Sequence, residues 1–226
     1  MKKSTISGDL VAFTSLSNAN KKILEKEIKS LIKTLHKEYD SFCRVVKGDY
    51  LECVINKPEQ VLKVTILIKC FIKSVSLENE TDNKRLKYFK NYGIRLAIGY
   101  GELKRYSKTE GIIDGEAIYL SGRKINDEST HNKERIVIKN TLFFVSNNED
   151  LNFRFTPIIE LLDYILNKAT SKQCEVVYHK LLGLSEKEIA KIMKISQPVV
   201  NQHSLSVGWN AIETTVDYFN KTIKDN

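Results

Sequence analysis

Ser7-Gly8-Asp9-Leu10-Val11-Ala12-Phe13-Thr14-Ser15-Leu16-Ser17 and Val46-Lys47-Gly48-Asp49-Tyr50-Leu51-Glu52 are the two stretches that decide how this chain is read. The first follows an apolar–polar run that reads as a strand. The second lies at the bend between two strand-like runs. Asp9 and Asp49 are 40 residues apart, enough for one helix to cross between them. A strand, a crossover helix and a hairpin bring both carboxylates to one edge of a sheet. Two carboxylates converging there form a site for Mg²⁺ or Mn²⁺ carrying a nucleoside triphosphate. Each aspartate taken alone has a plainer reading, Asp9 as a helix N-cap or turn residue and Asp49 with Gly48 as a hairpin turn.

Outward from these stretches the elements fall in a regular order. Ser17 or Asn18 caps a helix running to about Tyr39, with Leu24, Ile28, Leu31 and Leu35 as its stripe. Phe42 to Val46 and Leu51 to Ile55 are short strands. Lys57-Pro58-Glu59 opens a second helix, since proline is tolerated in a first turn. Its stripe of Val61, Val64, Ile68, Phe71 and Val75, broadened by Leu62 and Ile66, predicts burial. Residues 78 to 92 read as a loop or short surface helix. Ile94 to Tyr100 reads as a strand closed by a bend at Gly99-Tyr100-Gly101, and Lys104 to Gly111 as an exposed loop. Asp114-Gly115 opens a helix to about Ile125, and Arg135 to Ile138 and Leu142 to Val145 are further strands. Glu52 reads as a solvent-facing strand residue. The order β-α-β-β-α-β, with an extra helix and strands, predicts an α+β fold with a ferredoxin-like or palm-like core.

Asn147-Asn148-Glu149-Asp150 reads as a turn and boundary, dividing the chain into residues 1–150 and an all-helical part, 151–226. From Pro157 onward the pattern is helical: Ile158 to Leu166, Ser171 to Leu182, Ser185 to Lys194, and Gln197 to about Thr222. Ser185-Glu186-Lys187-Glu188 is a capping-box start. Ala190, the short turn Lys194-Ile195-Ser196 and a helix beginning there make a helix-turn-helix arrangement. Gln197, Asn201 and Gln202 are placed to bond base edges of double-stranded DNA, with Lys187 and Lys194 at phosphates. From Ser196 to Asn220 there is no lysine or arginine, so a protein-interaction or dimerisation role stands beside DNA contact. The stripe Trp209, Ile212, Val216 and Phe219 predicts packing on another helix, within the chain or across a dimer.

The chain has 226 residues and a net charge of +8. Residues 157–226 hold eight lysines and eight acidic residues, so the whole excess lies before them. That suits a polyanionic ligand, or a lysine-rich solvated surface. The greasiest segment, Val61 to Val75, is too short to span a membrane and is interrupted by lysines. Residues 1 to 20 lack the continuous apolar core of a signal peptide. The four cysteines (Cys43, Cys53, Cys70, Cys174) have no metal-ligand spacing and read as reduced core thiols, which with the missing leader places the protein in the cytoplasm.

Four segments resemble class III nucleotide cyclases, in family order and covering residues 4 to about 145. Gly8 to Leu16 resembles their first catalytic segment, Lys47-Gly48-Asp49 the hairpin with the second metal aspartate, Arg95 to Glu102 a later core strand, and Gly115 to Arg123 the helix of transition-state residues. The whole chain, this core followed by a helix-turn-helix, is similar to SatD-type bacterial proteins. The resemblance implies that Asp9, Asp49 and the Leu10 carbonyl hold two metal ions. It implies that backbone N–H groups around Phe13 and Thr14 receive phosphate oxygens, and that Arg123 stabilises the transferring phosphate. It also implies a head-to-tail homodimer in which Arg123 of one chain faces the aspartates of the other. Tyr119 stands where the family has an asparagine, and Val45 and Ile112 where it has the base-selecting lysine and aspartate; Asp114 is displaced by two residues. The same core occurs in diguanylate cyclases and polymerase palms, so the fold does not choose the reaction. The expectation is a regulator with a nucleotide- and metal-binding N-terminal part. The alternatives are an active nucleotidyl cyclase, and a DNA-binding regulator whose N-terminal part is vestigial.

Overall fold

The computed structural model describes residues 2–46, 48–78, 85–128 and 138–226. In chain order come β1 (Lys2–Leu10), α1 (Asn18–Tyr39), β2 (Ser41–Val46), β3 (Tyr50–Ile55), α2 (Val61–Ser74), α3 (Leu86–Tyr92), β4 (Ile94–Ser107), β5 (Ile112–Gly115), α4 (Glu116–Asp127) and β6 (Leu142–Ser146). Five helices follow: α5 (Glu149–Lys168), α6 (Ser171–Leu181), α7 (Glu186–Met193), α8 (Gln197–Ser206) and α9 (Trp209–Lys224). The architecture is mixed α+β. The sheet runs β2-β3-β1-β4-β5, antiparallel throughout, and β6 joins β4 in parallel.

The register sorts the side chains of β1 onto two faces, because neighbours along a strand alternate. Ile6 and Leu10 join the main core with Leu24, Ile28, Leu31 and Leu35 of α1 and the apolar side chains of α2. Thr5, Ser7 and Asp9 point the other way, toward α4. There Ser121 of α4, fully buried, hydrogen-bonds Thr5 Oγ1 at 3.1 Å and Ser7 Oγ at 2.8 Å. Burial without such partners would cost about 1–3 kcal/mol per hydroxyl. Beside this contact Gly99 admits α4 closely: a Cβ there would stand 2.0 Å from the Ala117 carbonyl oxygen.

Several expectations change. Gly99-Tyr100-Gly101 is not a bend: β4 continues through it to Ser107, paired with β1 as far as Glu102. Lys104 to Gly111 is accordingly a strand end and a hairpin into β5 rather than an exposed loop. A glycine inside a strand here marks close backbone approach. α5 begins at Glu149, capped by Asn148, so Pro157 lies inside the helix rather than at its start. The helix expected from Gln197 to Thr222 is two, broken where Gly208 adopts a φ of 73°. Cys43 and Cys53 are not free thiols. They are directly opposed on β2 and β3 and joined as a disulfide, while Cys70 and Cys174 remain reduced and buried. The expected strand Arg135 to Ile138 falls outside the described residues but for Ile138, which is not in a strand.

The C-terminal helices share the core of the sheet. Phe155 of α5 and Phe219 of α9 pack at 4.4 Å between ring centres, and Phe144 of β6 lies 5.1 Å from Phe155. Ile212, Val216, Phe219 and Ile223 of α9 are buried there, so that stripe is covered within the chain. α6, α7 and α8 form a smaller cluster of Val176, Ile189, Ala190, Met193 and Val200. Both residues of the capping box at Ser185 and Glu188 are engaged. Among the described residues no helix is long and apolar enough to cross a membrane.

Candidate functional site

The register builds the site as two cross-strand rows on the α4 side of the sheet. Val46, Tyr50, Asp9 and Arg95 oppose one another across β2, β3, β1 and β4; Arg44, Glu52, Ser7 and Ala97 form the next row. Directly opposed side chains on one face are close enough to pair, and both rows do so. Arg95 Nε donates to Asp9 Oδ1 at 2.9 Å and its Nη2 to Oδ2 at 2.5 Å, with both side chains buried. Arg95 Nη1 also donates to the Glu128 carbonyl at the end of α4. Arg44 binds Glu52 through Nε at 2.8 Å and Nη2 at 2.6 Å, and reaches the Gly111 carbonyl with Nη1. Glu52 is therefore an ion-paired residue rather than a solvent-facing one.

A cleft of about 590 Å³ opens between the β2–β3 hairpin and α4. Asp9, Asp49, Tyr50, Glu52, Tyr119 and Arg123 line it, along with Val46, Ile113 and Ile118. Asp9 and Asp49 both line this cleft, together with Arg123 and Tyr119 of the same chain. Two of these groups have no side-chain partner among the described residues: the Asp49 carboxylate and the Arg123 guanidinium. Tyr119, half exposed, donates its hydroxyl to Asp114 Oδ1, and that hydrogen bond raises its pKa. Burial raises the pKa of Tyr50 against a hydrogen bond with Ser7 that lowers it, and the nearby charges of Glu52 and Asp9 add to the rise.

Other predicted residues lie elsewhere. The Leu10 side chain is buried in the core, and its N–H donates to the Asp49 carbonyl at 3.0 Å. Phe13 and Thr14 sit in a three-residue 3-10 turn after Ala12, whose φ is 57°, and do not line the cleft. Lys187 and Lys194 are exposed on α7 and its turn, Gln197 and Gln202 on α8, and Asn201 donates to Glu186 at 3.5 Å. Arg95 escaped the sequence reading. Its place opposite Asp9 is a register fact, and the strand pattern alone does not fix register.

Among the described residues no three carboxylate, imidazole or thiol groups converge as a metal cage. The donor set nevertheless suits a cation that travels with a nucleotide. Mg²⁺ is commonly bound by one or two carboxylates, with substrate phosphates completing its shell. Arg95 engages each Asp9 oxygen once, and each oxygen has a second lone-pair direction.

No protein-family model matches the chain, and no curated protein matches it. Among solved structures it is similar to a bacterial light-regulated adenylyl cyclase, with 16% identity and a TM-score of 0.44 over 63% of this chain and 43% of that one. It is also similar to the guanylyl cyclase Cya2, with 14% identity, a TM-score of 0.37 and coverage of 56% and 70%. A third is the adenylyl cyclase CyaB from P. aeruginosa, with 12% identity, a TM-score of 0.35 and coverage of 56% and 71%. The chain thus spans less than half the length of the first of these.

Proposed function

We propose that the cleft between the β2–β3 hairpin and α4 binds a nucleoside triphosphate together with Mg²⁺ or Mn²⁺. One observation carries this reading: Asp49 and Arg123, a carboxylate and a guanidinium with no side-chain partner among the described residues, line one cleft that also holds Asp9. A metal–triphosphate complex offers each of them its opposite charge. Asp9 and Asp49 would hold the cation, which would polarise a phosphate oxygen and favour a deprotonated nucleophile; the Leu10 carbonyl, expected as a third ligand, belongs to a residue outside the cleft lining. Arg123 would receive phosphate oxygens, a role suited to its planar fork of donors. Val46, Ile113 and Ile118 supply an apolar wall. Tyr119, tied to Asp114, occupies the wall where an exchangeable hydrogen bond to the ligand is made.

Cyclisation of the bound triphosphate, with release of pyrophosphate, is the reaction this arrangement supports if it turns over. Regulation by the occupied cleft, passed to α7 and α8 as a DNA-contacting or dimerising module, belongs to the same proposal. So do the SatD-like grouping, a homodimer and a cytoplasmic location. Calorimetry with each of the four triphosphates in the presence of Mn²⁺ tests the reading. Saturable binding of at least one, abolished in Asp49→Ala, is the expected outcome. No heat with any of the four overturns it.

A further inference from the structure

The exposed face of α1 has no part in the cleft. Lys22, Lys26, Lys29 and Lys33 recur there at spacings of four, three and four residues, and Lys37 follows four later. All five are exposed. At 100° per residue they fall within one narrow wedge, each about 5–6 Å from the next. From Lys22 to Lys33 the row is about 16 Å long at 1.5 Å per residue. Lys22, Lys26, Lys29 and Lys33 have no hydrogen bond or ion pair among the described residues. Lys37 alone has a partner, Glu38 at 3.3 Å.

This row works against the helix that carries it. Lys22–Lys26, Lys29–Lys33 and Lys33–Lys37 are like charges at i,i+4, which repel, and of the row's lysines only Lys29 has an acidic residue, Glu25, four positions before it. Packing holds α1 in place through Leu24, Ile28, Leu31 and Leu35, so the exposed face is free to serve a ligand. We infer that the α1 lysine row docks the phosphate backbone of double-stranded nucleic acid.

Three observations choose this partner. The cations form a line, matching a linear polyanion with one phosphate per about 3.4 Å of each strand. Between Lys22 and Lys37 no exposed residue is apolar, and the apolar face is locked in the core, so α1 has nothing to insert into a bilayer. The row also leads toward the helix pair α7–α8. Tyr39 of α1 donates to the Leu181 carbonyl at 3.2 Å, at the end of α6 just before that pair. Residues 157–226 carry no net charge, with eight lysines against eight acidic residues. The α1 row supplies the phosphate-directed charge that the helical part lacks.

Fluorescence anisotropy with a labelled, mixed-sequence DNA duplex tests this. The intact chain should bind at roughly 50 mM salt, with affinity falling steeply toward about 200 mM. The variant K26Q/K29Q/K33Q should lose at least about tenfold in affinity, and its log–log salt slope should flatten by about 2.7, at about 0.9 per phosphate contact. K221Q/K224Q, at the far end of the chain, should leave the slope unchanged. Asp49→Ala should bind the duplex as the intact chain does, which separates this docking from the cleft. Unchanged circular dichroism certifies the fold of each variant. No duplex binding by the intact chain, an unaltered slope in the triple variant, or binding to phosphatidylserine vesicles without binding to the duplex would overturn the inference.

Discussion

Asp9 and Asp49 share a cleft but differ in energetic standing. Asp9 is buried and held by the buried Arg95 through one bond to each oxygen. Removing one partner of such a pair strands the other charge, at a cost of about 3–5 kcal/mol. Asp49 has no side-chain partner to strand among the described residues. Asp9→Ala should therefore lower the urea midpoint strongly as well as abolish metal–nucleotide binding, whereas Asp49→Ala should abolish binding with the midpoint unchanged. Equal effects on stability would refute the assignment. The sequence shows both aspartates and Arg123 because they stand in recognisable local runs. Arg95 and Glu52 are not legible in this way, since their partners are set by which residues face each other across strands.

At the scale of elements, the cleft depends on how α4 is seated. Ser121 anchors it to Thr5 and Ser7, and Gly99 lets it approach the strand. Ser121→Ala removes one partner from each of two buried hydroxyls, and thermal unfolding should show a loss of about 1–3 kcal/mol for each one left unsatisfied. Gly99→Ala places a methyl against the Ala117 carbonyl. α4 must then shift, so nucleotide binding should fail in this variant even where a folded protein is recovered. Helices with strong stripes and caps, such as α1 from its Ser17 cap, are readable in the sequence. β4 is not: its two glycines signal a turn locally, and only the pressure of α4 against the sheet explains them as strand residues.

Across the whole molecule, α2 joins the sheet to the C-terminal helices through charges that periodicity marks as interruptions. Lys69, fully buried, donates to the carbonyls of Tyr92 at 2.9 Å and Ile94 at 3.1 Å and lies 3.7 Å from Asp163 of α5. Lys73 donates to the Leu166 and Asn167 carbonyls at the end of α5. Burial lowers the Lys69 pKa from 10.5 to about 8. Between those values the unfolded chain binds more protons than the folded one, so stability rises with pH, by up to about 3 kcal/mol at about 1.36 per unit. Tyr39, pushed up to about 12 by burial, acts in the opposite sense above pH 10. Chemical denaturation from pH 7 to 9 should show the rise in the intact chain and lose it in Lys69→Met, before the Cys70 thiol, pushed up by burial, acts in the opposite sense at higher pH; a flat profile in both would contradict the assignment. The chain as a whole is strongly cationic, yet its cleft is not. Asp9 and Glu52 each hold an arginine, which leaves Asp49 and Arg123 to cancel one another. Among the described residues a bare triphosphate would meet one cation there without a side-chain partner, and a bare metal ion one such carboxylate. On the proposed function, the resting cleft would be a lock that wants both halves of its key at once: metal and nucleotide should each raise the other's affinity, by the same factor in both directions.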